Sequence, residues 1–254
     1  MASDKKLQDL EKKVATLANQ VGILEDEQAV RKLQHTYGYY LDKCIYEEVV
    51  DLFADKDCEV RFMRGVFKGK HGVRRLYIER FGKNFTGGKN GPVFGFLLDH
   101  PQLQDIVHVD PDRRLAKGRF RSMMQAGRHH SAPGIEASAG LPRQWWEGGI
   151  YENQYVRENG VWKIKVLNYR PVFHATFEHG WTFTPPNFVP FFNEKDVYPK
   201  HPAGPDSIDP TAVLWPEVDV VPFHYPNPVT GKKWRDTGGA SSAKKKTARK
   251  KSGR

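Results

Sequence analysis

The chain has 254 residues, 39% hydrophobic and 28% charged, enough apolar material for a sizeable core carrying polar extensions. No apolar run reaches the roughly 18–20 residues that span a bilayer; the start, MASDKKLQDLEKK, lacks a signal peptide's apolar region, and Cys44 and Cys58 form neither a disulfide framework nor a zinc spacing, so a reducing cytoplasm is expected. The net charge is +10, but KKKTARKKSGR at residues 244–254 holds seven basic residues and no acid; 10 − 7 leaves +3 on the body, which excludes the body as a charge-driven nucleic-acid binder.

Leu7, Leu10, Val14, Leu17, Val21 and Leu24 are spaced 3, 4, 3, 4, 3, the seam of a heptad helix. Residues 1–26 are therefore expected to form a separate helix that makes a homo-oligomer, a dimer or trimer, with a break at Gly22 and the acidic cluster Glu25–Glu27. From Glu27 to Phe53 an apolar stripe at helical period, including Val30, Leu33, Tyr37, Tyr40 and Leu41, predicts two helices bent near Lys43–Tyr46. CEVRFMRGVFKG reads as a strand, hairpin and strand, and KHGVRRLYIERFGKNF as a third amphipathic helix with Val73, Leu76, Tyr77 and Phe81 inward.

After FTGGKNGP the chain turns to strands, VFGFLLDH, LQDIVHVD, RLAKGRFRSMMQAG, WWEGGIYENQYVRE and VWKIKVLNYRPVFHATFE, with turns at DPDR and ENG. Helices followed by a long antiparallel meander predict an α+β fold, a cone-shaped curved sheet with helices on its inner face and a small-molecule pocket at its open end. Residues 27–180 would form the cone, 181–235 a Pro- and aromatic-rich arm over the body or a neighbour, and 236–254 a disordered basic tail.

Strand alternation says which side chains enter the pocket. Phe96, Leu98 and His100 share one parity, which leaves the adjacent Asp99 at the rim; Phe120 and Ser122 share another; Glu147, Tyr151 and Asn153 face inward together. Counting along VWKIKVLN places Asn168 on the same face. On the covering helix, Asp42 follows Tyr37 and Tyr40, and an acid beside an apolar stripe needs a partner, for which His100 is suitable. Such a pair would raise the histidine's basicity and make it a general acid or base near neutrality. His174, Glu178 and His179 lack the further ligands of a zinc motif, so no metal site is expected.

The order YGYYLDKCIYEEVVDLF, GVFKGKHGVRRLY, LDHPQLQDIVHVDPDRRLAKGRF and GGIYENQYVRENGVWKI resembles the SnoaL-like branch of the nuclear-transport-factor-2-like superfamily over about Glu27 to Val172. The resemblance implies a cofactor-free acid–base site, by position Asp42 and His100, with Tyr37 or Tyr40 polarising substrate oxygens. The inward-facing strand residues Phe96, Phe120, Glu147, Tyr151 and Asn168 are expected to contact a small aromatic substrate. The arm, with TPPNFVPFF, VLWP, VVPFHYP and NPVTGKKW, resembles a narrower group, the sphingomonad diarylpropane lyases of lignin catabolism. That implies release of the γ-carbon of a 1,2-diarylpropane-1,3-diol as formaldehyde, through a quinone methide, leaving a stilbene. The alternatives are a dehydratase or isomerase of a polycyclic aromatic or steroid-like substrate, and a non-catalytic binding module. Neither a membrane nor specific nucleic acid is expected as a partner.

Overall fold

The computed structural model describes residues 2–132, 143–185, 188 and 191–235; the basic tail expected at 236–254 lies outside them. One helix, α1 (Ala2–Asp42), runs through the expected break at Gly22. The corner near Lys43–Tyr46 is as expected: Cys44 takes a left-handed φ of 54° and α2 (Tyr46–Asp51) follows. The hairpin β1 (Glu59–Phe62) and β2 (Gly65–Lys68) precedes α3 (Gly69–Arg74), which continues as a π-helical segment, Arg75–Thr86. The other strands are β3 (Phe96–Asp99), β4 (Gln102–Val109), β5 (Leu115–Arg128), β6 (Gln144–Glu158) and β7 (Val161–Thr176); among its described residues the arm adds a short helix, α4 (Gly180–Phe183), and β8 (Ser207–Ile208).

The sheet order is β3-β5-β6-β7-β1-β2-β8, and β4 also pairs with β5. It is mixed, because β1 runs parallel to β7; the other pairs are antiparallel, as the meander predicts. β3 and β4 are two pieces of one edge, since Asp99 lies opposite Gln125 and Gln102 opposite Ser122. His100 and Pro101 occupy the gap between them, where a proline, having no N–H, interrupts the ladder.

α1 lies across the concave face and is fastened at two levels. Asp26, buried, takes hydrogen bonds from Arg113 (2.5 Å) and Trp162 Nε1 (2.9 Å). Gln34, fully buried, accepts from Asn153 (2.9 Å) and Tyr155 (2.8 Å) and donates to Gln102 (2.7 Å). Such a network is tolerated in a core because its members satisfy one another. Gly22, Asp26 and Val30 face the body, which turns the heptad seam away; Leu7 through Leu24 are each more than half exposed. The arm packs on the cone: Phe192 stacks edge-on against Phe67 at 5.6 Å, Arg75 pairs with Asp206 at 2.5 Å, and Arg119 donates to the carbonyls of Val221 and Pro222.

Candidate functional site

The concave face holds a cavity that is partly open to solvent. Its wall is largely aromatic, with Tyr37 from α1, Tyr77 and Phe81 from the π-helical segment, Phe96 from β3, Tyr151 from β6, Tyr169 from β7 and Phe192 from the arm. Besides Arg80 and Asn84, two small sets of polar side chains interrupt it.

The first set centres on His100. Its backbone N–H donates to Asp42 Oδ1 at 2.7 Å and its carbonyl accepts from Gln102 Nε2 at 3.0 Å, so both sides of the residue are held where the edge strand breaks. The imidazole lines the cavity, and its Nε2 lies 3.1 Å from the Tyr151 hydroxyl. Tyr37 stands edge-on to Tyr151 at 6.0 Å and shares a 2.9 Å hydrogen bond with Tyr77. Asp42 and His100 do meet, as expected, but through the backbone and not as a side-chain dyad. The expected rise in basicity is reversed: burial pulls His100 down to about 3. Burial likewise pushes Asp42 up to about 6, with the His100 amide opposing.

The second set is Glu147 and His174, on adjacent strands. Glu147 Oε2 lies 3.5 Å from His174 Nε2, and both are buried in the cavity wall. Burial pushes Glu147 up to about 7 and pulls His174 down to about 3. With the imidazole uncharged near neutral pH, the contact is not an ion pair. His174 Nδ1, Tyr169 Oη and Ser122 Oγ are buried without a hydrogen-bond partner among the described residues. The alternation along β6 places Glu147, Tyr151 and Asn153 inward as expected, and Gly149 lets Tyr169 in, since a Cβ there would stand 2.4 Å from that ring.

Other expected site residues lie elsewhere. Asn168 is turned to the outer face, because Tyr155 pairs with Ile164 and Gln154 with Val166; the extra residue, Lys165, inverts the alternation and sends Leu167 and Tyr169 inward instead. A second bulge at Val172 inverts it again and brings in His174. Phe120 is fully buried in the core, edge-on to His35 at 6.1 Å, and is not part of the cavity wall. Tyr40 is half-buried on the flank of α1, whose Tyr37 and Leu41 are the wall residues. Asp42 sits behind His100, outside the wall. Phe96, His100, Glu147, Tyr37 and Tyr151 are on the wall as expected, and Phe94, which shares their parity, is 74% exposed because the strand starts only at Phe96.

Residues 22–168, more than half of the chain, match the family model described as SnoaL-like domain. Similar solved structures include LinA (16% identity, covering 66% of this chain and 99% of that one, TM-score 0.49). Another is hexachlorocyclohexane dehydrochlorinase LinA-type3 from Novosphingobium barchaimii LL02 (17%, 64% and 97%, TM-score 0.46). A third is a provisionally assigned scytalone dehydratase from Novosphingobium aromaticivorans DSM 12444 (19%, 61% and 89%, TM-score 0.47). No curated protein matches the chain in sequence.

Glu147 carries a pH signature. Its carboxyl titrates near 4.5 in the unfolded chain and near 7 in the fold, so its favourable contribution is complete below pH 4.5 and is lost as pH rises through 7. Glu147→Gln should therefore match wild type in stability at pH 4.5 and exceed it by up to about 2–3 kcal/mol at pH 8, measured by urea unfolding at both pH values. An equal difference at the two pH values would contradict the raised pKa.

Proposed function

The chain belongs to the SnoaL-like domain family, and from that premise we propose that it is a cofactor-independent carbon–carbon lyase acting on a lignin-derived 1,2-diarylpropane-1,3-diol. The observation that carries this reading is Glu147, a buried carboxyl with a pKa near 7 in an aromatic cavity, beside a neutral imidazole. A group that holds its proton at neutral pH yet can release it serves as acid in one step and base in the next.

The substrate binds with its para-phenol as the phenolate. Glu147 protonates the α-hydroxyl, which leaves as water while the ring's electron pair forms a quinone methide. The Glu147 carboxylate then takes the γ-hydroxyl proton. The Cβ–Cγ bond breaks, formaldehyde departs, and the bonding pair restores the aromatic phenolate of a stilbene. Overall the diol becomes stilbene, water and formaldehyde, with no net oxidation, and Glu147 ends as it began. His174 steadies the Glu147 proton. His100 and Tyr151, neutral and hydrogen-bonded, orient the substrate hydroxyls, and Asp42 acts through the His100 backbone as a positioning residue.

Incubation with the diol should give formaldehyde and stilbene in equal amounts. Glu147→Gln and His100→Ala, with circular dichroism unchanged, should each lower turnover by about 10²–10⁴-fold. Dehydration without formaldehyde would assign a dehydratase instead, and full turnover in Glu147→Gln would contradict its role.

We also propose a homo-oligomer through α1. The seam points away from the body and is left uncovered by the described residues, and an exposed apolar stripe of this length calls for a partner. Val14 and Val21 at one core position with Leu10, Leu17 and Leu24 at the other suit a parallel two-stranded coil, and Lys6 would face Glu11 of the second copy. Deleting residues 2–20 should lower the mass read by light scattering, and an unchanged mass would count against the seam.

A further inference from the structure

One end of the cavity holds two arginines that form no ion pair among the described residues. Arg80, on the π-helical segment, lines the cavity with its Cζ 4.4 Å above the Phe192 ring, and it makes no hydrogen bond or ion pair among the described residues. Arg128 on β5 lies near the same end, its Cζ 4.9 Å from the centre of the cavity-lining Phe96 ring. Its Nη2 donates to the Asn84 carbonyl at 3.0 Å, while Nη1 is buried without a hydrogen-bond partner among the described residues. Burial lowers the pKa of both guanidinium groups, with Asp196 the opposing influence on Arg80 and Cys44 on Arg128.

Other well-shielded arginines here are matched to acids. Arg75 pairs with Asp206, Arg113 with Asp26 and Arg119 with Glu152, each at 2.5 Å. Desolvating a guanidinium without an anion is unfavourable, and a fork of N–H donors is the geometry that carboxylates and phenolates accept. The acids of the same cavity cannot supply the charge: Glu147 is half-protonated near pH 7 and already contacts His174.

We propose that Arg80 is the binding site for an anionic oxygen borne on an aromatic ring of the substrate. This deepens the reading above and rests on it: the phenolate that drives loss of the α-hydroxyl, and that re-forms at the end, would be held by Arg80 over the Phe192 ring. Arg128 adds positive potential behind it. The ring is thereby fixed at one end of the cavity and the diol carbons extend toward the rest of the wall. A phenolate and a ring carboxylate share this chemistry.

Equilibrium binding to the intact protein separates the cases without relying on turnover. The probes are 4-hydroxystilbene, its methyl ether and stilbene-4-carboxylate, followed by fluorescence, with the absorbance of bound 4-hydroxystilbene reporting its ionisation. Wild type should bind the hydroxystilbene as the phenolate and more tightly than the ether. Arg80→Met should weaken hydroxystilbene by about 10–100-fold, the span of a hydrogen bond to a charged group, and abolish the phenolate absorbance while leaving the ether unchanged. Arg80→Lys, which keeps the charge, should retain most of the preference. A stronger Arg80 dependence for the carboxylate would make that the natural anion within the same proposal. Equal losses on all probes, or none, would overturn the proposal alone. Failure of every probe to bind wild type would overturn the aromatic-substrate reading with it.

Discussion

The placement of the cavity's polar side chains depends on how His100 is held. Pro101 denies the edge strand a hydrogen bond at the point where it crosses the cavity mouth, and the chain would be free to slide there. Asp42 holds the His100 amide, and Gln102, itself gripped by Gln34 of α1, holds the carbonyl. One long helix thus fixes both sides of a single residue in the sheet. The imidazole meets Tyr151 at hydrogen-bonding distance because its backbone cannot shift. The acid that sequence reasoning assigned to the imidazole serves this mechanical purpose instead.

Protonation in the cavity follows from burial more than from charge pairing. Both histidines are pulled far below their ordinary range and both carboxyls are raised, so near neutral pH the site holds neutral imidazoles and acids at the threshold of ionisation. The full ion pairs lie elsewhere, among them Asp26 with Arg113 midway along α1 and Arg119 with Glu152 on the outer face of the sheet. An aromatic, weakly polar interior of this kind strengthens any hydrogen bond a substrate makes within it.

Much of this was legible from alternation and helical period. Glu147 and Tyr151 on β6, and Leu98 and His100 at the edge, fall where parity places them, because those stretches pair without an inward-flipping irregularity. Asn168 does not, because β7 carries an extra residue at Lys165, and a bulge has no reliable sequence mark; a second extra residue, Val172, restores the original parity, so that His174 again faces inward. Pro171, beside the second bulge, was the available signal, since proline inside a long strand is tolerated only at an edge or an irregularity. Arg80 read as an ordinary polar position of an amphipathic helix; the wider π-helical turn and the arm's Phe192 bring it to the cavity, and neither follows from local pattern. Gly22 and its acidic neighbours read as a break, yet Gly22 faces the body where a larger side chain would strike Arg113, and Asp26 is an internal fastening point.

The central claim, that burial and a clamped backbone set the state of the site, is tested most directly at one imidazole. A pH titration of the His100 ring nitrogens by ¹⁵N NMR, with His100 assigned by comparison with His100→Ala, should show a single neutral tautomer throughout about pH 5–8. Conversion to imidazolium within that range would contradict the claim and return His100 to the role of a charged partner of Asp42.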